Sequence, residues 1–137
     1  YEGAFNRVET EQWLQRQRER YRQDGFGLWA AVLEETGRMI GQCGLTMQNW
    51  DGGQVLEIGY LFQREHWHRG YAIEAARGCK AYAFREMGAE AGYSIIRDTN
   101  LASMNVAIRN GMTVRGRFVK HYRGVDMPHL VFGVRKE

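Results

Sequence analysis

The spacing of apolar residues predicts a helix near the start of the chain, over residues 8–23. Thr10 is a candidate N-cap, because its side-chain oxygen can accept a hydrogen bond from a first-turn N–H group. Asp24-Gly25 then ends the helix, since glycine adopts the left-handed conformation that closes many helices. One partly apolar face carries Trp13, Leu14, Gln17 and Tyr21.

A looser alternation of apolar and polar residues follows and predicts three consecutive strands, over residues 26–33, 39–47 and 55–62. Glycine-containing turns at residues 35–38 and 51–53 separate them. Short turns of this kind join antiparallel neighbours, so the three strands are expected to form a meander.

The period changes in the middle of the chain, where small and apolar residues recur at helical spacing. This predicts a helix over residues 70–87, built around Ala72, Ala76, Cys79, Ala83 and Met87 and ended by Gly88. The remaining pattern predicts a strand, a short helix and two more strands, at residues 92–97, 101–109, 112–121 and 127–135.

The strand at 55–62, the following helix and the strand at 92–97 form a strand–helix–strand unit, which places its two strands in parallel. The hairpins make the other pairs antiparallel. The expected fold is therefore an α/β (α+β) domain with a mixed, mostly antiparallel central sheet of about six strands and flanking helices.

Composition narrows the class of protein only a little. The 137 residues suffice for one domain, and a net charge of +3 suits a small polyanionic ligand as well as a nucleic acid. No apolar run is long enough to span a bilayer. Cys43 and Cys79 lie in apolar stretches and are expected to be buried, reduced thiols of a cytoplasmic protein. Neither a nucleic acid nor a membrane is expected as a partner.

The segment from Trp67 to Ala72 lies where a strand gives way to a helix, and it has the features of a phosphate cradle. A helix start leaves several backbone N–H groups free, and the helix dipole favours an anion there. Gly70 would let a phosphate approach the backbone, and Arg69 adds positive charge. A turn that uses Gly70 only for its backbone angles is the alternative.

A second segment runs from Asn100 to Met112 and coincides with the predicted short helix. Asn100 precedes the helix, and Ser103 lies in its first turn. Either side chain can satisfy backbone groups at a helix start, so an N-cap role for Asn100 is an alternative to ligand binding.

Together with residues 57–62, these two segments resemble the GNAT acetyltransferase superfamily, most closely the branch that includes the ribosomal-protein N-terminal acetyltransferases. The family's cofactor motif is Gln/Arg-x-x-Gly-x-Gly/Ala. Gly70 and Ala72 match its later positions, whereas Trp67 at the first position departs from it. The resemblance runs from about residue 26 to the C-terminus.

The resemblance implies an acyl-CoA N-acyltransferase-like fold, in which two parallel strands splay apart and acetyl-CoA, the acetyl-donor cosubstrate, lies in the gap. The family usually begins with an additional strand and helix, which residues 1–137, as a single domain, are expected to lack. The implied cofactor-binding residues are Tyr60, Leu61, Phe62, Trp67, His68, Arg69, Gly70, Tyr71, Ala72, Asn100 and Ser103.

The resemblance also implies direct attack of an amine on the thioester. Glu57 is the candidate catalytic base, with a strand-face glutamate in a salt bridge or in water as the alternative. The tyrosine that many members use as an acid falls at Ala107, so Ser103 is the catalytic candidate at the sulfur. No metal is expected, because His66 and His68 lack further ligands.

The expected function is transfer of an acetyl group from acetyl-CoA to a primary amine, either a protein N-terminus or a small molecule. A catalytically silent acyl-CoA-binding or regulatory domain is the alternative, because Ala107 replaces the tyrosine. His121 and Tyr122 are candidates for lining the acceptor site, and a homodimer is left open.

Overall fold

The computed structural model describes residues 6–137, which form a six-stranded sheet with helices on both faces. The predicted order of helix, three strands, helix, strand, helix and two strands is confirmed. The elements are α1 (Arg7–Asp24), β1 (Leu28–Val32), β2 (Met39–Trp50), β3 (Gly53–Phe62), a short 3₁₀ helix (Arg64–His66), α2 (Tyr71–Arg85), β4 (Ala91–Arg97), α3 (Leu101–Arg109), β5 (Thr113–Tyr122) and β6 (Val125–Arg135).

The sheet has the strand order β1-β2-β3-β4-β6-β5, and every neighbouring pair is antiparallel except β3 and β4. The predicted mixed, mostly antiparallel sheet is therefore confirmed. Asp51-Gly52 and Arg123-Gly124 form tight turns, with positive φ at both central positions of each. Such turns match the twist of the strands that they join, so β2 continues to Trp50, beyond its predicted end.

The main hydrophobic core lies between the sheet and the helices α2 and α3. The small residues Ala76, Cys79 and Ala83 are buried and let α2 pack closely against the strands. The predicted helical stripe is thus the buried face of α2, although Ala72 and Met87 near its two ends are only partly buried. On the sheet, the core contains Leu45, Leu56, Ile58, Ile96 and Phe132.

Helix α1 begins earlier than predicted, because Asn6 and not Thr10 is its N-cap. The Asn6 side chain accepts the N–H of Glu9 at 2.9 Å, and the Glu9 carboxylate accepts the N–H of Asn6 at 3.1 Å. This reciprocal pair is a capping box. Thr10 lies inside the helix and donates its hydroxyl back to the Asn6 carbonyl. Gly25 ends the helix in the left-handed conformation, as predicted.

Helix α1 crosses the face of the sheet opposite α2 and α3. Its 18 residues span about 27 Å, and six strands are about 24 Å across, so the helix is as long as the sheet is wide. Glu9 forms an ion pair with Arg123 at the β5–β6 turn, and the Tyr21 hydroxyl donates to the Leu28 carbonyl of β1. Between these anchors the backbone of α1 makes few close approaches to the backbone of the sheet, so side chains line the space between helix and sheet.

The two cysteines are free thiols on β2 and α2. Cys79 is buried, as predicted. Cys43 lies at the margin of the core and is partly exposed, so the prediction of burial is wrong for this residue.

The close approach of β1 to β2 at Gly44 leaves no room for a methyl group. A Cβ there would lie 2.3 Å from the Gly27 carbonyl oxygen and 2.7 Å from Leu28 Cα, so backbone would have to move. We expect Gly44→Ala to lower the free energy of unfolding by about 1–3 kcal/mol. Gly59→Ala is the matched control in the same row of the sheet, because a Cβ there would meet Leu28 Cδ2 at 3.9 Å. Urea denaturation measures the free energy of unfolding of both variants. Equal losses in the two would contradict the close approach of β1 to β2 at Gly44.

Candidate active site

The parallel strands β3 and β4 share a single register pair, Glu57 with Tyr93. Beyond this pair β3 continues to Phe62 and β4 to Arg97, and no further pair joins them in the described part of the chain. The two strands therefore splay apart toward their carboxyl ends, as the family resemblance implied.

Side chains replace the missing backbone ladder at the vertex of this gap. The buried Ser94 donates its hydroxyl to the Ile58 carbonyl at 2.7 Å. The N–H of Ile95 donates to Oε2 of Glu57 at 2.8 Å. An unpaired backbone group inside a sheet costs free energy, so these two bonds stabilise the splayed arrangement.

The Glu57 carboxylate lies on the α1 side of the gap, because its neighbours on β3 point into the core. The residue keeps some solvent exposure, but protein groups surround its carboxylate. Burial raises the pKa of Glu57 to about 7, opposed by the Ile95 N–H and by the charges of Arg20 and Lys120. Glu57 is thus a largely buried carboxyl held by a backbone N–H, and its pKa suits proton transfer near neutral pH.

The start of α2 lies at the open end of the gap and has no side-chain cap. Gly70 is its N-cap, with a φ of +81° that favours glycine. A Cβ on Gly70 would meet nothing within 4 Å, so the space beside this N-cap residue is open. The turn therefore needs glycine for its backbone angles, and the phosphate cradle at this uncapped helix start stays a prediction.

Trp67, the departure from the family motif, connects the loop before α2 to the end of β3. Its indole N–H donates to the Phe62 carbonyl at 2.8 Å, and the Arg64 guanidinium lies 5.6 Å from its ring centroid. The next aromatic pair, His66 and Tyr71, has ring centroids 6.3 Å apart. The motif tryptophan thus positions the loop, a role that the sequence alone did not indicate.

The start of α3 borders the gap on the opposite face from Glu57. The Asn100 side chain accepts the N–H of Ser103 at 3.1 Å, which confirms its N-cap role. The Tyr60 hydroxyl, on β3, donates to the Ser103 carbonyl at 2.7 Å. Burial raises the pKa of Tyr60, so this phenol stays a hydrogen-bond donor. Ala107 is fully buried in the core, at the position where the family often has tyrosine.

The structure brings the predicted cofactor-binding residues to one end of the gap from three elements: the end of β3, the loop into α2, and the start of α3. Phe62 is buried, so it can offer only backbone groups there. The exposed residues of the set are Leu61, Trp67, His68, Arg69, Gly70 and Asn100. The partly buried residues are Tyr60, Tyr71, Ala72 and Ser103.

No group of three or more His, Cys, Asp or Glu side chains among residues 6–137 is arranged to hold a metal ion. None of the helices in this range combines the length and the apolar character needed to cross a membrane.

The family model of the GNAT acetyltransferase domain matches residues 1–113 of the chain. The chain belongs to the GNAT acetyltransferase family. It is 38% identical over 112 residues to the uncharacterized protein YkkB of Bacillus subtilis (strain 168), which is 82% of this chain and 65% of that protein. The chain thus spans less than two thirds of the length of this relative.

Solved acetyltransferase structures share the fold of this GNAT protein. An acetyltransferase from Agrobacterium tumefaciens str. C58 has a TM-score of 0.78 at 27% identity, covering 98% of this chain and 75% of that one. Ribosomal-protein-S5-alanine acetyltransferase from Vibrio fischeri has a TM-score of 0.78 at 14% identity, covering 98% and 78%. The acyl-CoA N-acyltransferase-like fold that the sequence resemblance implied is confirmed.

The raised pKa of Glu57 should make stability depend on pH. A carboxyl whose pKa is higher in the folded than in the unfolded state stabilises the fold fully below a pH of about 4.5. This stabilisation is lost as the pH rises through about 7. The shift corresponds to about 3 kcal/mol. Because glutamine does not titrate, we expect Glu57→Gln to gain stability relative to the native protein as pH rises over this range.

Urea denaturation across this pH range measures the difference in free energy of unfolding between variant and native protein. Glu86→Gln, at an exposed carboxylate next to the end of α2, is the control and should follow the native curve. A Glu57→Gln curve parallel to the native one would show that burial does not raise the pKa of Glu57.

Proposed function

We propose that this GNAT protein transfers the acetyl group of acetyl-CoA to a primary amine, either a protein N-terminus or a small molecule. The gap between β3 and β4 carries the proposal. It opens beside the uncapped start of α2 and has a carboxyl of raised pKa at its vertex. These features combine a site for an extended anionic ligand with a candidate base.

The described residues fit the parts of coenzyme A. The first-turn N–H groups of α2, at Tyr71 and Ala72, suit its diphosphate, and Arg69 adds a positive charge beside them. The edge of β3 from Tyr60 to Phe62 is not paired with β4 and suits the amide groups of the pantetheine arm. Acetyl-CoA, when bound, supplies an acyl group activated as a thioester.

The acceptor amine must lose its proton to attack. At pH 7 an α-amine with a pKa near 8 is about one tenth neutral, whereas a lysine-type amine near 10.4 is neutral in about one molecule in a few thousand. Glu57 takes this proton, and its pKa of about 7 matches the task. The Ile95 N–H and the Thr46 hydroxyl hold the carboxylate in place.

Ser103 acts from the other side of the gap, where the Tyr60 hydrogen bond fixes the start of α3 to β3. As the amine nitrogen bonds to the acetyl carbon, the carbon–sulfur bond breaks and the thiolate leaves. The Ser103 hydroxyl polarises the sulfur and does not fully protonate it, because an aliphatic hydroxyl is a weak acid. Orientation of the two reactants supplies much of the rate in a transfer of this kind.

A catalytically silent acyl-CoA-binding domain is the second candidate. It is favoured by Ala107, which is fully buried and offers no hydroxyl to the gap. The two functions differ in one measurable property, which is release of free thiol from acetyl-CoA when an amine is added.

Ala72→Asp adds a negative charge to the first turn of α2. The helix dipole favours this charge, so the protein without ligand should keep its melting temperature, while the charge repels a diphosphate. We expect acetyl-CoA to raise the melting temperature of the native protein and of Ala72→Asn, but not of Ala72→Asp. Ligand at about 100 times its dissociation constant should stabilise the fold by about 2.7 kcal/mol. Scanning fluorimetry with and without acetyl-CoA measures the shift.

A thiol-release assay with a panel of primary amines completes this experiment. Amine-dependent release supports the transferase. A cofactor-induced shift without any amine-dependent release supports the binding domain. Equal shifts in Ala72→Asp and its uncharged match Ala72→Asn would show that no diphosphate binds at the start of α2.

A further inference from the structure

The face of the sheet on the α1 side of the gap carries charged side chains that the proposed transfer does not itself require. Residues paired across neighbouring strands share a face, and alternate residues of one strand share it too. These rules place the following residues on the face of Glu57, across β4, β6 and β5: Tyr93, Arg97, His129, Phe118 and Lys120.

Among the described residues, two cations act on Glu57 on this side of the sheet. Arg20 belongs to α1, and Lys120 belongs to β5. The charges of Arg20 and Lys120 both act on the Glu57 carboxylate. The exposed Lys120 can reach a ligand, and its Nζ lies 5.9 Å from the centroid of the Tyr122 ring.

Other groups on this side are engaged with protein partners. Glu9 of α1 forms an ion pair with Arg123, at the far edge of the sheet. The His129 ring stacks on Phe118 with centroids 5.5 Å apart, and its Nδ1 lies 2.8 Å from the Met127 carbonyl oxygen. Within residues 6–137, Glu9 on this side is therefore already paired, while Arg20 and Lys120 both act on Glu57.

Arg20 is held in position by a buried polar neighbour. Gln17, one turn earlier on α1, is only 7% exposed, and its Oε1 accepts a hydrogen bond from Arg20 Nη1 at 3.3 Å. The less exposed positions of α1 are Glu9, Trp13, Gln17 and Arg20, so this helix turns a largely polar face to the sheet. A helix that only packs would bury an apolar face, whereas this one places an ordered cation opposite the candidate base.

We propose that the acceptor amine carries a carboxylate close to its nitrogen, and that Arg20 and Lys120 determine this specificity. The inference rests on the proposed acetyl transfer. With the amine at Glu57, the carboxylate of such an acceptor lies between the two cations, where charge-assisted hydrogen bonds are strong. A polyamine would bring further positive charge to the same place and is disfavoured.

Short peptides with a free N-terminus and an amidated C-terminus test the proposal. Ala-Asp-Ala and Ala-Asn-Ala differ only in charge, and Ala-Lys-Ala reverses it. Binding is measured by tryptophan fluorescence with coenzyme A present, which needs no turnover, and acetylation rates are measured separately with acetyl-CoA. We expect the aspartate peptide to bind at least about fivefold more tightly than the asparagine peptide at low salt, and the lysine peptide to bind most weakly.

Matched variants locate the source of the preference. Arg20→Gln and Lys120→Gln should each reduce the ratio of aspartate to asparagine affinity. Arg22→Gln, exposed on α1, and Lys136→Gln, exposed after β6, remove the same charge elsewhere and should leave the ratio unchanged. Absence of the preference, or an equal loss of it in all four variants, would overturn the proposal. Charge-selective binding without acetylation would contradict the proposed function alone, and acetylation without charge preference would contradict this inference alone.

Discussion

Strands β3 and β4 pair only at Glu57 and Tyr93, and the fold depends on how the backbone groups next to this pair are satisfied. Ser94 donates its hydroxyl to β3, and the Ile95 N–H donates to the Glu57 carboxylate. The bonds that stabilise an open sheet thus also hold the candidate base in place. Burial at the same vertex raises the pKa of this carboxyl, so structural stability and the proposed proton transfer depend on the same atoms.

The gap separates two sides of the molecule with different chemistry. On one side, small buried residues let α2 lie close to the sheet, and its uncapped start meets the open end of the gap. On the other side, α1 is anchored at both edges of the sheet and turns polar side chains inward. The exposed helix dipole suits the diphosphate proposed for the first side, and the cations near the candidate base suit the acceptor proposed for the second.

Local patterns predicted the elements of the fold, and contacts between distant elements explain what they missed. The period of small residues identified the buried face of α2, and the Asp51-Gly52 turn located the β2–β3 hairpin. Asn6 was missed as the N-cap because Thr10 fits the same local pattern. The splayed strands and the acetyl-CoA cofactor were predicted from the family resemblance and not from a local pattern. Two hydrogen bonds depend on that splay, one from Trp67 to the end of β3 and one from the Ile95 N–H to Glu57. Neither leaves a signal in the local sequence.

Amide hydrogen exchange with and without acetyl-CoA tests most directly whether the gap is the cofactor site, because it reports protection residue by residue. We predict slower exchange, on addition of acetyl-CoA, at the end of β3 over residues 60–62 and in the first turn of α2 over residues 71–73. The edge strands β1 and β5 should exchange at unchanged rates. Protection confined to another surface, or spread evenly over the sheet, would contradict a cofactor site between β3 and β4.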